Sequence, residues 1–543
     1  MKKNYKKTTK KFDKNSKKFT KKSTPLVATS KQIKDINSNL KKVELIAQIS
    51  KIVQTGGPTI FVATDGTGIL SLKGFISPGE RAFPEINEGD CIKTIIEIGE
   101  FQGELEGNIK RIFKLNEKQS QDFELKLQQI ELQRATGTIP NFLIQSPILD
   151  KLKDKFIKAA QEIRLAIIQG RPIIVRHHND CDGYSSGFAL ERAILPLIVK
   201  EHKNTKSAWE FYTRAPSTAP FYEIDDSIRD TANSLRNVAK FSNKMPLIII
   251  ADNGSSPEDL MAIKQSKIHG SDFIVIDHHH FDQDVISNEV KVHINPFLVN
   301  EDGMGFSAGM LCVELARFIN SEVANVEQIA AMAGFADRIE IKNPQAVNNY
   351  LTIAQELGYS KELLSDIALV IDYVSAKVRF MEVREYIEVL FGEPREKQKA
   401  LVNLLAPYIR SLDAKGLAIA KDNVDIDKIK NTTLQKINID EVFPGFGFFP
   451  KTGRVVGLLH DNLISEGKTN NIVTIGIMRT SITIRATDEA NFSVHNLITF
   501  LQGNIPNAFV EGGGHKNAGS ITFLPNRQEK ILDLLEKFIK QSQ

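Results

Sequence analysis

Apolar and polar residues alternate along VELIAQISKIVQ (43–54) and PTIFVAT (58–64). A period of two marks strands with one face turned to a core. The Asp65-Gly66 turn follows, then GILSLKGF (68–75), DCIKTIIEI (90–98) and GELEGNIKRIFKL (103–115). Five such strands, with a longer gap between the third and fourth, predict a small OB-like β-barrel over 41–118. Phe61 and Phe75 are candidates for stacking on bases, or else they fill the barrel. The spacing then changes to three and four, which predicts helix over 119–170 with Gly170 as its stop. Between 171 and 345 short β-branched runs, PIIV (172–175), PLIIIA (246–251) and FIVID (273–277), are separated by amphipathic stretches such as SSGFALERAILPLIVKEH (185–202). That order predicts an α/β fold with a doubly wound parallel sheet. Residues 346–415 read as a helical linker region. Residues 416–543 return to α+β, with VVGLLH (455–460), NIVTIGIMR and SITIRAT (471–487) as sheet and RQEKILDLLEKFIKQSQ as a closing helix. Residues 1–40 offer few apolar positions and predict a disordered basic tail.

The 543 residues are enough for three or four domains, and the 41% hydrophobic fraction is ordinary for a globular protein. No apolar run reaches the roughly 18–20 residues of a membrane span. The Lys-rich start has no apolar stretch behind it, so no secretory signal is expected. Cys91, Cys181 and Cys312 are odd in number and far apart. They predict neither disulfides nor a zinc knuckle and fit a reducing cytoplasm. Charge changes the picture more. Of the net +4, residues 1–22 carry +10, which leaves the rest of the chain at −6. A Lys tail attracts any polyanion without reading its sequence.

Polar clusters follow each of the three buried runs. They are Arg176-His177-His178-Asn179-Asp180-Cys181-Asp182-Gly183, then Asp252-Asn253-Gly254-Ser255, then Asp277-His278-His279-His280. In an open parallel sheet, ligands bind outside the carboxyl ends of the strands, so all three clusters project into one crevice. Five of the eleven histidines lie in two of these clusters. So many carboxylates and imidazoles in one solvated cleft call for cations, and the mixture favours manganese, with magnesium, cobalt or zinc as alternatives. Asp337, after the apolar AAMAGFA, adds a fourth acid.

In these motifs the chain resembles the DHH phosphoesterase superfamily, and within it the RecJ-like single-strand exonucleases of archaeal type. His178-Asn-Asp180-Cys-Asp182-Gly183 matches the first motif, Asp252 the second, Asp277-His278-His279 the naming triplet and Asp337 the fourth. The resemblance implies that His178, Asp180, Asp182, Asp252, His278 and Asp337 ligate two divalent metal ions, manganese preferred and magnesium the alternative. It implies His279 and Asp182 as catalytic groups within a catalytic domain at 119–345. Glu511-Gly-Gly513-Gly514-His515 resembles the marker of the DHH-associated domain, here 416–543. Gly513, Gly514, His515 and Arg485 would then hold substrate phosphate.

The function implied is phosphodiester hydrolysis, as a single-strand-specific exonuclease on DNA, with RNA as an open alternative. The partners implied are single-stranded nucleic acid and replication or repair proteins, with no membrane. Two rival readings are an oligoribonuclease or cyclic-dinucleotide phosphodiesterase, and a catalytically silent replication scaffold resembling Cdc45. The filled motif positions count against the scaffold. Cleavage polarity and oligomeric state have no signal in the sequence.

Overall fold

The computed structural model describes residues 28–542, except 102, 204–205, 218, 220, 242, 379–383, 444–448 and 468. The described residues fall into two compact units. One runs to Asp65 and resumes over Leu70–Ser120, and the other takes Gly66–Ile69 and the chain from Gln121 onward.

The first unit contains β1 (Thr29–Ser30), β2 (Lys42–Gln54), β3 (Thr59–Thr64), most of β4 (Ile69–Gly74), β5 (Cys91–Phe101) and β6 (Glu104–Lys114). Strands β2 to β6 are ordered β2-β3-β4-β6-β5, and β5 pairs back onto β2, which closes a five-strand, OB-like barrel. The alternation seen in the sequence sets its interior: Val43, Leu45, Ala47 and Ile49 are all buried. Gly107 lets β6 cross the barrel, since a Cβ there would sit 2.8 Å from Ile96 and 2.9 Å from Leu72. Phe61 is wholly buried and so fills the core, while Phe75 is 62% exposed. The expected disordered tail is too long at its end. β1 pairs in parallel with β2, Ile33 and Ile36 are buried, and the Ile33 amide donates to Asp65 Oδ2 at 2.8 Å. Two apolar residues suffice to pin that stretch down. The Lys run at 1–22 lies outside the described residues.

The second unit begins with α1 (Glu117–Thr136) and α2 (Pro147–Ile168). The parallel sheet follows: β7 (Ile173–His177), α3 (Cys181–His202), α4 (Ser207–Phe211), β8 (Tyr212–Pro216), α5 (Ile224–Phe241), β9 (Leu247–Ala251), α6 (Pro257–Ile268), β10 (Asp272–Ile276) and β11 (Val292–Ile294). Its order is β11-β10-β9-β7-β8, every neighbour parallel. Every residue of β9 is buried, as a central strand covered on both faces requires. The chain goes from β7 outward to β8, then returns past β7 to β9, so the winding reverses between β7 and β9. That reversal opens a crevice at the strands' carboxyl ends.

Next come α7 (Ala308–Ile319), α8 (Glu327–Ala336), α9 (Pro344–Glu356), α10 (Lys361–Lys377), α11 (Arg384–Leu390) and α12 (Arg395–Asp422). Val347, Tyr350, Ile367 and Val402 share one hydrophobic core with Phe156, Phe188 and Leu311. The stretch expected as a linker is therefore part of the helical layer on the sheet. The last sheet holds β12 (Asp425–Ile429), β13 (Thr432–Asn438), β14 (Ile472–Met478), β15 (Ser481–Ala486), β16 (Glu511–His515) and β17 (Ala518–Thr522), in the order β12-β13-β14-β15-β17-β16. The helices α13 (Ile439–Val442), α14 (Thr452–Ser465), α15 (Val494–Asn504) and α16 (Gln528–Gln541) accompany it. VVGLLH lies in α14 and not in a strand. Val455, Val456, Leu459, His460 and Leu463 are its buried positions, a three-and-four spacing that outweighs β-branching.

Candidate metal centre

Each predicted ligand has a local reason for its place. Asp180 caps α3, its Oδ1 accepting the Gly183 amide at 2.9 Å. Only glycine fits there, because a Cβ at 183 would lie 2.1 Å from the His178 carbonyl oxygen. Asp182, in the first turn of α3, is 1% exposed, and its Oδ1 accepts the Gly309 amide at 3.0 Å. It was expected as a solvated cleft group; it is instead walled in where α3 packs on α7. Asp252 leaves β9 in the left-handed region, at φ +61°, a conformation unusual for a residue with a Cβ and typical of constrained sites. After β10, Asp277 Oδ1 accepts the amides of His278 and His279 at 2.8 and 3.2 Å, which folds the turn. The His278 Nδ1 faces the Gly303 carbonyl at 3.2 Å, leaving Nε2 toward the acids. Asp337 is the C-terminal cap of α8.

These six residues meet at the winding reversal. His178 Nδ1 lies 2.8 Å from Asp180 Oδ2 and 3.6 Å from Asp252 Oδ2. His278 Nε2 lies 3.4 Å from Asp252 Oδ1, 3.1 Å from Asp337 Oδ2 and 3.8 Å from Asp182 Oδ2. Among the described residues, two of four groups close enough to hold a cation contain these six, His178/Asp180/Asp252 and Asp182/His278/Asp337; the other two, His278/His279/His515 and Asp252/Asp277/His279, bring in the neighbouring imidazoles and Asp277. The two oxygens of Asp252 face one group each. Asp182 Oδ2, Asp252 Oδ2 and His278 Nε2 are buried without a hydrogen-bond partner. Burial, with the carboxylates of Asp252 and Asp337 alongside, pushes the Asp182 carboxyl well above its ordinary range. Burial opposes a charged His278, yet Asp252 and Asp337 outweigh it and hold that imidazole well above the usual histidine range. Buried polar atoms without partners are costly. A pair of divalent ions would satisfy all three and relieve the repulsion. The residues fit such ions.

A second layer faces this centre. Asp277 Oδ1 lies 2.8 Å from His279 Nδ1. Burial works against ionisation of both, but the pairing lowers the Asp277 carboxyl and raises the His279 imidazole. The ring of His279 stacks on that of His515, with centroids 4.7 Å apart and 16° between planes. The His278 ring meets His515 edge-on at 5.1 Å. Arg485, on β15, is paired with Ala518, which is paired with His515, so one rung carries both side chains to the same face. Arg485 is solvent-exposed. The glycines divide. Gly514 has φ +123°, and a Cβ there would lie 2.5 Å from the Ala518 carbonyl oxygen, so hairpin sterics already require a glycine there. Gly513, two residues from His515 and on its face, has nothing within 4 Å of a built Cβ.

One family model, that of the DHH family N-terminal domain, matches residues 172–336. The "Uncharacterized protein MJ1198" of Methanocaldococcus jannaschii is 32% identical over 541 residues, covering 94% of this chain and 71% of that protein. The chain belongs to the DHH family. Among solved structures, the PF0399 DHH domain, described as a member of the s1p family of ribosomal proteins, is 33% identical with a TM-score of 0.73. That match covers 78% of this chain and 99% of that one. A Thermus thermophilus RecJ solved with Mn2+ is 15% identical, with a TM-score of 0.49 over 75% of this chain and 57% of that one, too loose a likeness to carry chemistry.

Within the DHH chain, sequence reading missed the residues that hold the ligands in place. Buried Asn295, at the end of β11, donates from Nδ2 to the His279 carbonyl and to Ser255 Oγ, each at 3.0 Å. Its Asn-Pro dipeptide after a strand was the available signal, but three-residue β11 is too short to show in the pattern. Lys451 Nζ reaches Ser375 Oγ at 3.2 Å and the Asn179 carbonyl at 3.4 Å, beside the first ligand loop. Nothing in its neighbourhood in sequence marks it.

Proposed function

We propose that this DHH chain is a metal-dependent phosphodiesterase, acting as a single-strand-specific exonuclease on DNA and, as the second substrate to test, RNA. The observation that carries the reading is the shared Asp252 carboxylate, whose two oxygens face two ligand groups containing three orphaned buried atoms. His178, Asp180 and Asp252 would hold one divalent ion, and Asp182, His278 and Asp337 the other, with manganese the first choice. Such ions, when bound, polarise a phosphate and acidify water.

The chain's own residues do the remainder. Asp277 fixes His279 through Nδ1, which leaves Nε2 free to serve the phosphate. His515 and Arg485 grip a neighbouring phosphate, Arg485 with a planar fork suited to its oxygens. Open space over Gly513 admits the strand. In this reading residues 416–543 are the substrate-binding domain, 119–345 the catalytic domain, and 41–118 an OB nucleic-acid-binding module whose affinity the basic tail supplements. Replication or repair proteins are the expected partners. Residue placement supports each role, and the fold admits other phosphodiesters.

The test is degradation of 5′- and 3′-labelled single-stranded and duplex DNA and RNA, with manganese, magnesium or EDTA. A ladder of products from one end of single strands, abolished by EDTA, is expected. Cleavage confined to dinucleotides or cyclic dinucleotides would replace the exonuclease reading, and no metal-dependent hydrolysis of any of them would overturn the enzymatic one.

A further inference from the structure

Helix α5 is amphipathic in the wrong sense for a surface helix. Its buried positions are Asp226, Ser227, Asp230, Thr231 and Ser234, all polar. They are satisfied inward: Ser227 Oγ donates to the Ala262 carbonyl at 2.7 Å, Thr231 Oγ1 lies 3.0 Å from Ser266 Oγ, and Asp230 takes a two-pronged bond from buried Arg176. The apolar residues instead point to solvent, with Ile224 39%, Ile228 50% and Leu235 39% exposed. With Ala232 between them they recur at four, four and three residues, a stripe along one helix face.

The stripe adjoins α6. Ser227 and Thr231 touch Ala262, Gln265 and Ser266, and Ile224, Ile228 and Leu235 lie one step further round the same helix. On α6, Met261 is 67% and Ile268 82% exposed. Together the two helices present an apolar groove on the outer face of the sheet layer. A surface helix ordinarily turns such residues inward, and a contiguous exposed apolar patch marks an interaction site.

The outer rim of the groove selects its occupant. Asp225, Arg229, Arg236 and Lys240 lie on the exposed side of α5 beside the stripe. Their net charge is +2 in a body that is acidic outside the first 22 residues. Arg229 also lies 3.7 Å from buried Asp226. A second copy of the chain, docked antiparallel through α5, would bring one rim of net charge +2 against another, with Arg229 facing Arg236 of its mate and only Asp225 facing Lys240 in compensation. An acidic helix would face three cations and one acid. We infer that the α5–α6 groove is a docking site for an amphipathic helix of a partner protein, with apolar anchors at three- and four-residue spacing flanked by Asp or Glu. This is the helix-in-groove mode, and it stands whether or not the nuclease reading holds.

The test uses the full chain and fluorescein-labelled 18-residue helical peptides with leucine at that spacing, flanked by glutamate in one version and lysine in the other. Anisotropy should show the glutamate peptide binding at least tenfold more tightly than the lysine one. Ile228→Asp should weaken it at least tenfold, and so should the double change Arg229→Glu, Arg236→Glu. Metal content and circular dichroism of the variants should match the parent, because none of these residues touches the metal centre. Equal binding of the two peptides, or binding untouched by Ile228→Asp, would overturn the proposal. Light scattering that finds a dimer of the parent chain broken by Ile228→Asp would also overturn it, in favour of self-association.

Discussion

Asp182 shows how a single residue can be placed correctly for an incomplete reason. Its position in the first motif marked it as a ligand, but burial against the Gly309 amide could not be read from the motif. An alanine there would orphan that amide and confuse loss of fold with loss of chemistry. Asp182→Asn keeps the acceptor and removes the charge. In EDTA the variant should melt within about 2 °C of the parent or above it, because the parent carboxyl already resists ionisation among its neighbours. Manganese at a hundredfold excess over its dissociation constant should stabilise the parent by about 2.7 kcal/mol and the variant by far less. Hydrolysis should fall at least ~100-fold.

Glu314 makes a separate prediction. Burial raises its carboxyl to about 7, against a usual 4.5, despite the Tyr350 hydroxyl at 2.7 Å and the Leu143 amide at 3.0 Å. The folded protein keeps a proton there that the unfolded chain gives up, so stability should fall as pH rises from about 4.5 to about 7 and then level off. Glu314→Gln should flatten that slope in thermal melts at a series of pH values.

Among elements, the long periodic ones were legible and the short or inverted ones were not. PLIIIA could only be a covered central strand, and β9 is one. Strand β11 has only three residues, and β8, YTRAP, has Arg214 at its central buried position and so lacks the apolar run that marks β9. VVGLLH misled because it opens on two β-branched valines and is too short to reveal its three–four spacing. Within the Gly512-Gly513-Gly514 run of β16, sterics separate Gly513, which has room for a Cβ, from Gly512 and Gly514, where a Cβ would meet backbone. Gly514→Ala should cost roughly 1–3 kcal/mol in denaturant melts, since it forces a strained φ and a backbone clash. Gly513→Ala should leave the melt unchanged yet raise KM for single strands, because its Cβ enters the space beside His515. Equal stability losses in both would make the run purely structural.

For the whole molecule, the proposed function gives affinity to the barrel unit and chemistry to the sheet unit. Deleting residues 1–116 should weaken binding to long single strands and flatten its dependence on salt, measured by anisotropy across an ionic-strength series. Cleavage of very short oligomers should survive. Equal loss at every length would make the barrel part of the catalytic core.

The ligands span only His178 to Asp337, whereas the imidazole that stacks on His279 comes from His515, near the chain's end. If the proposed function holds, a chain emerging from the ribosome would complete its ligand set well before it could grip a strand. At about 5–20 residues per second, the interval between Asp337 and His515 lasts roughly 10–35 s. On the proposed reading, the nascent polypeptide would then stand beside messenger and ribosomal RNA with its ligands made but without the imidazole that helps to hold a strand, so the last part of the chain to be made would be the part that admits substrate.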